Sequence, residues 1–167
     1  MKSVTTIFHT IILLTVASLL AMLTACSNPA GSDEDHEEHT EPFGLELVLN
    51  GQTMIEYFEG EISGQIQVTE GEETALISVH FLNDEREEIH AEDLDDEYRL
   101  EWTIENENIF EIEQHDEDGR WSFHIHGKTA GTSRVQFRLM HGDHADFETP
   151  AVNQDGAITV TVQPVQS

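Results

Sequence analysis

Short runs in which apolar and polar residues alternate fill the chain from residue 43 onward. Successive side chains of a β-strand point to opposite faces, so a period of two predicts strands with one buried face. Turn dipeptides such as Asn50-Gly51 and Asp118-Gly119 divide these runs. This spacing predicts an all-β fold, an antiparallel sandwich of about eight or nine strands, with one helical turn within residues 91–97. The clearest apolar alternations are Ile77, Val79, Phe81; Tyr98, Leu100, Trp102, Ile104; Trp121, Phe123, Ile125; Val135, Phe137, Leu139; and Ile158, Val160, Val162.

The amino-terminal segment has a different pattern. Lys2 precedes an apolar run over residues 7–25, which ends in small residues. This order of positive charge, apolar core and small residues is typical of an export signal. A transmembrane helix needs about 20 apolar residues, and here His9, Thr10 and Thr15 interrupt the run. We therefore interpret residues 1–25 as a signal peptide that is removed.

The run Leu23-Thr24-Ala25-Cys26 resembles the lipobox of bacterial lipoproteins. This resemblance implies cleavage before Cys26, diacylglycerol on its sulfur and an acyl group such as palmitate on the new amino terminus. The mature protein would then be held at a membrane by its lipid, in the cell envelope. A signal for retention in the inner membrane often has Asp after the cysteine, whereas this chain has Ser27. In a cell with two membranes, the outer membrane is therefore favoured.

Residues 26–42 lack apolar periodicity and are rich in acidic residues, which predicts a disordered tether before a domain at 43–167. The whole chain carries 34 acidic and 7 basic residues, a net charge of −27. All the acidic residues follow the predicted cleavage site, whereas Lys2 precedes it. So acidic a protein repels nucleic acid and attracts cations. Cys26 is the only cysteine, so its lipidation would leave no thiol for a disulfide, for catalysis or for a metal.

Two sequence features resemble bacterial immunoglobulin-like domains of the Big2 type. The first is Trp102-x-Ile104-x-Asn106-x-x-Ile109-x-Glu111-Ile112, and the second is the Ala130-Gly131-Thr132 turn before the apolar strand that contains Val135. The resemblance implies an immunoglobulin-like sandwich. It also supports an alternative function, a structural or adhesive surface module in which the histidines are incidental.

The pair His124 and His126 is the first candidate for metal chemistry. Phe123 and Ile125 share one parity of the predicted strand, so both histidines project from its other face. Their Cα atoms would be roughly 6.6 Å apart, at about 3.3 Å per residue. Imidazoles at that separation can converge on a zinc ion about 2.0–2.1 Å from each nitrogen.

A second pair, His141 and His144, surrounds Gly142 where a loop is expected. Asp143, or Asp146 just beyond, could bind the ion or orient an imidazole. If the strands at 121–127 and 134–140 formed a hairpin, His124 and His126 would still be several residues from His141. The sequence therefore favours either two sites or further ligands from other strands.

Further candidate ligands are His80, on the polar face of its strand, and His90 with Glu88, in an acidic loop. His115 is interpreted as part of a turn. In His36-Glu37-Glu38-His39 the spacing is one residue too short for the helical zinc-protease motif.

Histidine and carboxylate ligands favour Zn²⁺, with Cu²⁺ or Ni²⁺ as alternatives, and argue against Ca²⁺. No catalytic motif is present in the sequence, so we do not expect an enzyme. The leading hypothesis is a lipid-anchored metal-binding protein that captures or buffers the ion and passes it to a membrane transporter. A third hypothesis is pH sensing by the many histidines.

Overall fold

The computed structural model describes residues 41–166, apart from the side chain of Ala91. The predicted signal peptide at 1–25, the lipidated Cys26, most of the predicted tether, His36 and His39 lie outside the described residues. Within 41–166, no helix is long and apolar enough to cross a bilayer.

Alternation of apolar and polar residues produces β-strands throughout this region, with one short 3-10 turn at Ala91–Asp93. The twelve strands are β1 (Gly44–Leu49), β2 (Gln52–Phe58), β3 (Glu61–Gly64), β4 (Ile66–Thr69), β5 (Ile77–Leu82), β6 (Glu88–Ile89), β7 (Tyr98–Ile104), β8 (Phe110–Glu113), β9 (Ser122–Gly127), β10 (Gly131–His141), β11 (His144–Glu148) and β12 (Ile158–Gln163).

The strands form two sheets. One sheet has the order β3-β2-β1-β5-β9-β8, and β6 adds to β5. In the other, β10 lies at the centre between β7 on one side and β11 and β12 on the other, and β4 is the outer neighbour of β12. The pairing is antiparallel except between β4 and β12. The predicted all-β sandwich is confirmed.

The alternating apolar residues of both sheets face one another and form the core. Phe123 of β9 and Phe137 of β10 stack across the sandwich with their ring centroids 5.3 Å apart. Val135, Leu139 and Ile125 are fully buried beside them. Burial of this apolar surface is the main favourable term in holding the two sheets together.

The structure has more strands than the eight or nine expected. The additional strands include pieces too short to show alternation, such as the two-residue Glu88–Ile89. A loop was expected to begin at His141, and the chain instead makes a tight turn there and returns along β10 as the strand His144–Glu148. Pairing with a neighbour, rather than local pattern, makes these segments strands.

The hairpin considered for residues 121–127 and 134–140 is wrong. β9 lies between β5 and β8, whereas β10 is the centre of the other sheet. The chain crosses between the sheets at Lys128, whose backbone N–H donates to the carbonyl of Ile109 at 2.8 Å. It passes so close to Ile109 that a Cβ at Gly131 would be 2.8 Å from that side chain. The two histidine pairs therefore belong to different sheets.

Candidate metal centres

Three groups of histidines and carboxylates each bring ligand atoms within 4.8 Å of one another among the described residues. We name them by the elements that carry them. They are the hairpin cluster (His141, His144, Asp146), the β9 cluster (Glu73, His115, His124, to which we add the contacting Asp118) and the β8 cluster (Glu111, Glu113, His126).

His141 of the hairpin cluster continues the buried row of β10. It has the same parity as Val135, Phe137 and Leu139, so its side chain lies at the end of the core rather than in a loop. The ring is stacked on Tyr98 of β7, its direct partner in the sheet, with centroids 4.3 Å apart and planes at 7°. This packing holds the imidazole in a fixed orientation.

The tight turn after His141 brings His144 and Asp146 to the same place. Gly142 has a φ of +53°, which favours glycine, and His144 pairs directly with His141 across the hairpin. The register then shifts: Leu139 pairs with Phe147, whereas Met140 pairs with Ala145. Asp146 is therefore the extra residue of a β-bulge, an irregularity that commonly redirects a side chain.

The carboxylate of Asp146 lies between the two imidazoles. Its Oδ1 is 2.9 Å from Nε2 of His144, and its Oδ2 is 3.6 Å from Nδ1 of His141. Two atoms bound to one zinc ion at about 2.0–2.1 Å cannot be more than about 4.2 Å apart. Each of these two contacts is within that limit.

Asp146 is also deeply buried. Its side chain is 6% exposed, and Oδ2 makes no hydrogen bond to any described residue. Burying a carboxylate is costly unless a positive charge or hydrogen-bond donors compensate for the lost water. A divalent cation would supply that charge. His144, whose side chain is 63% exposed, lies on the open side of the cluster.

The other ring nitrogen of His141 faces an outer pair of carboxylates. Nε2 lies 3.8 Å from Oδ2 of Asp95 and 4.0 Å from Oε2 of Glu97. Arg120 holds this loop by donating to the Asp95 carbonyl at 2.6 Å and to the Leu94 carbonyl. Metal-binding histidines usually donate their second N–H to a carboxylate or carbonyl, which fixes the tautomer. Asp95 and Glu97 are placed for that role.

The β9 cluster depends on the segment at 71–74, which runs antiparallel beside β9 before β5 begins. A Cβ at Gly127 would be 2.6 Å from the carbonyl oxygen of Thr69, so only glycine permits this close approach. Gly127 also exchanges backbone hydrogen bonds with this segment, donating to Glu72 at 2.9 Å and accepting from Gly71 at 2.7 Å. This pairing places Glu73 beside His124.

His124 contacts a different partner at each ring nitrogen. Nδ1 is 2.9 Å from the carbonyl oxygen of Thr74 and 3.2 Å from Oε1 of Glu73, while Nε2 is 3.5 Å from Oδ2 of Asp118. The pKa of His124 is raised above its usual value, chiefly by the hydrogen bond to Thr74 and then by the charges of Glu73 and Asp118, against an opposing effect of burial. Its surroundings therefore favour a positive charge.

His115 completes this cluster from the turn after β8. Its ring centroid is 5.6 Å from that of His124. The turn is closed by Asp118, whose Oδ2 accepts the backbone N–H of His115 at 2.9 Å. An open cavity of about 200 Å³ lies against His115 and gives access from solvent.

The β8 cluster already contains a cation. Nδ1 of His126 lies 3.3 Å from Glu111 and 3.5 Å from Glu113, but Lys128 contacts Glu111 at 2.9 Å. The hydrogen bond from Lys128 is the largest cause that lowers the pKa of Glu111. A metal ion would have to compete with this ammonium group, which makes the β8 cluster the least favourable of the three.

The candidate metal ligands predicted from the sequence lie at separate places in the structure. His124 and His126 share a face, as predicted, but contact different carboxylates and do not form one common group. His80 and Glu88 meet at 3.1 Å as a pair. His90 and Asp143 are exposed and belong to none of the three clusters of described residues.

Sequence reasoning missed several members of the clusters. His115 was interpreted as part of a turn, and Glu73, Asp118, Asp95 and Glu97 were not singled out. One signal was available: His141 continues the period-two apolar row of β10, and a histidine in such a row predicts a buried imidazole. For Glu73 the sequence offers no signal, because its position depends on how a segment about 50 residues away in the chain pairs with β9.

No protein-family model matches the chain, and a comparison with curated proteins finds no match. Among solved structures, the crystal structure of the S-layer protein SbsC domains 4 and 5 is similar, with 10% sequence identity and a TM-score of 0.41. The similarity covers 73% of this chain, which spans about half, 53%, of that structure.

Proposed function

We propose that this protein binds a divalent transition metal ion, Zn²⁺ in the first place, at the hairpin cluster. The observation that carries the proposal is the buried carboxylate of Asp146 between His141 and His144, whose Oδ2 accepts no hydrogen bond among the described residues, so a cation there would be stabilised. Two imidazoles and one carboxylate are the ligand set of many zinc sites that keep a position open. Cu²⁺ and Ni²⁺ accept the same ligands.

An exposed ligand next to a buried one suits capture and release better than permanent storage. His144 is open to solvent and can take the ion first, whereas His141 and Asp146 hold it at the rim of the core. With the predicted lipid anchor at Cys26, the protein would capture or buffer the metal in the cell envelope and pass it to a transporter. In a cell with two membranes, the anchor would lie in the outer membrane. The exchange itself involves no covalent chemistry by the protein.

The test is titration of the purified full-length chain, kept in detergent, with zinc in a calorimeter. Asp146→Asn keeps the shape of the side chain but removes its charge, and His144→Ala removes an exposed ligand. Both should weaken binding at the hairpin cluster at least tenfold, whereas His90→Ala, an exposed histidine outside the clusters, should not. Zinc binding weaker than about 1 mM, or unchanged by both variants, would leave the alternative of a structural or adhesive module.

A further inference from the structure

A second group of ligands stands apart from the hairpin cluster, in the other sheet. The β9 cluster combines His124 of β9, His115 from the turn after β8, and Glu73 from the segment that pairs antiparallel with β9. We propose that it is a second binding site for a divalent transition metal, with Asp118 as an additional carboxylate. This site goes beyond the proposed function, because it shares no residue with the hairpin cluster.

His124 and Asp118 make a contact that favours a cation between them. If Nδ1 donates its proton to the Thr74 carbonyl at 2.9 Å, then Nε2 of the neutral ring carries only a lone pair. That lone pair faces Oδ2 of Asp118 at 3.5 Å, so two acceptors are opposed where the side chains are only 18% and 10% exposed. A cation near both atoms, either a proton on Nε2 or a metal ion, removes this unfavourable contact.

The ring of His124 is held as metal-binding histidines commonly are. Its Nδ1 side contacts a backbone carbonyl, the outer partner that metal-binding histidines commonly have, and this leaves Nε2 as the ligand atom. The Thr74 carbonyl is itself fixed, because the backbone N–H and the hydroxyl of Thr74 both contact the backbone of Ile125, at 2.9 and 3.0 Å. The ring is therefore oriented before any ion arrives.

The β9 cluster also offers ligands without a competing cation. His115 and Glu73 add an imidazole and a carboxylate to His124, and the ligand atoms of these three residues lie within 4.8 Å of one another, while Asp118 contacts Nε2 of His124. Two histidines and a carboxylate are a ligand set of zinc sites that keep one position open. In contrast to the β8 cluster, no lysine or arginine among the described residues forms an ion pair with Glu73 or Asp118. Two imidazoles select Zn²⁺, Cu²⁺ or Ni²⁺ over Ca²⁺ and Mg²⁺, which prefer oxygen ligands.

The experiment counts the ions bound to each chain. The full-length protein in detergent is dialysed against zinc at pH 7.5, and bound zinc is measured by elemental analysis. We expect two ions per chain, and one in the variants His115→Ala and Asp118→Asn. Asn keeps an oxygen for the hydrogen bond from the His115 backbone. Asp116→Asn, an exposed acidic residue of the same turn, is the matched control and should keep both ions.

The two sites give separable results. Asp146→Asn should lose the ion of the hairpin cluster and keep the one at the β9 cluster, so failure of either site is seen independently. Ring signals of His115 and His124 in NMR spectra should shift on addition of zinc to Asp146→Asn. If the zinc count is unchanged in His115→Ala and in Asp118→Asn, or if the His124 signals respond to pH but not to zinc, the cation at this position is a proton and the proposal is wrong.

Discussion

His141 and His144 lie directly opposite each other across the β10–β11 hairpin, with their ring centroids 5.6 Å apart and tilted by 60°. One ring is buried against Tyr98, and the other is open to solvent. The bulge at Asp146 adds a carboxylate between them. A four-residue segment of the chain thus supplies two ligands of different solvent exposure at one end of the sandwich.

The outer carboxylates of the hairpin cluster should tune its affinity for metal. Asp95→Asn together with Glu97→Gln removes the negative charge that faces Nε2 of His141, while the ring keeps its stacking on Tyr98. We expect zinc affinity to fall by about 10- to 100-fold, the usual effect of losing such an outer partner. Calorimetric titration measures it. An affinity within twofold of the original would mean that these carboxylates do not orient His141.

The elevated pKa of His124 should make the stability of the metal-free protein depend on pH. Because its pKa is raised above the usual 6.5 by Thr74, Glu73 and Asp118, the folded state binds a proton more tightly than the unfolded chain. The resulting contribution to the free energy of unfolding is fully present below about pH 6.5, and it is lost as pH rises through the pKa of His124 in the folded state. Urea unfolding of the original and of His124→Gln between pH 5 and 9 should show a difference that shrinks with rising pH. His90→Gln, at an exposed histidine outside the three clusters, serves as the control.

The contribution of Glu111 to stability should depend on pH in the opposite direction to that of His124. Its pKa is lowered, chiefly by the hydrogen bond from Lys128, so its contribution exists above the unfolded pKa and is lost as pH falls through the folded value. In Lys128→Met, the pKa of the Glu111 carboxyl should rise toward its usual value. NMR titration of the Glu111 carboxyl carbon measures this change directly. A pKa that is the same in both proteins would contradict the assignment of Lys128 as its main partner.

Gly127→Ala should disrupt the β9 cluster through the backbone. A Cβ at this position meets the carbonyl oxygen of Thr69 at 2.6 Å, and a backbone atom cannot move away cheaply. We expect a loss of about 1–3 kcal/mol in the free energy of unfolding, as for other overpacked sites, and loss of zinc at the β9 cluster. Urea unfolding and zinc counting measure the two effects. Normal stability would show that the loop at 69–74 can shift without cost.

The fold followed from the sequence to a large extent, because strands with one buried face repeat apolar residues with period two. Phe123, Ile125, Val135, Phe137 and Leu139 are all buried as that rule requires. The hairpin considered between 121–127 and 134–140 does not form, and the alternation of apolar residues could not have indicated this. Whether neighbouring strands pair or cross to the other sheet depends on the connection, here the close passage beside Ile109.

The candidate sites followed from the sequence only in part. His124 with His126, and His141 with His144, were nominated because their spacing puts them on one face or around one turn. Their carboxylate partners come from other elements: the segment before β5 supplies Glu73 and the segment before β7 supplies Asp95. Such contacts depend on tertiary packing, which spacing along one strand cannot reveal.

The most direct test of the central claim is a crystal structure of the zinc-loaded protein with anomalous diffraction at the zinc edge. We predict an anomalous peak bonded to Nδ1 of His141, Nε2 of His144 and the carboxylate of Asp146, at about 2.0–2.2 Å from each. A zinc-loaded crystal with no peak at these three residues, and with the rings as far apart as they are without metal, would contradict the account.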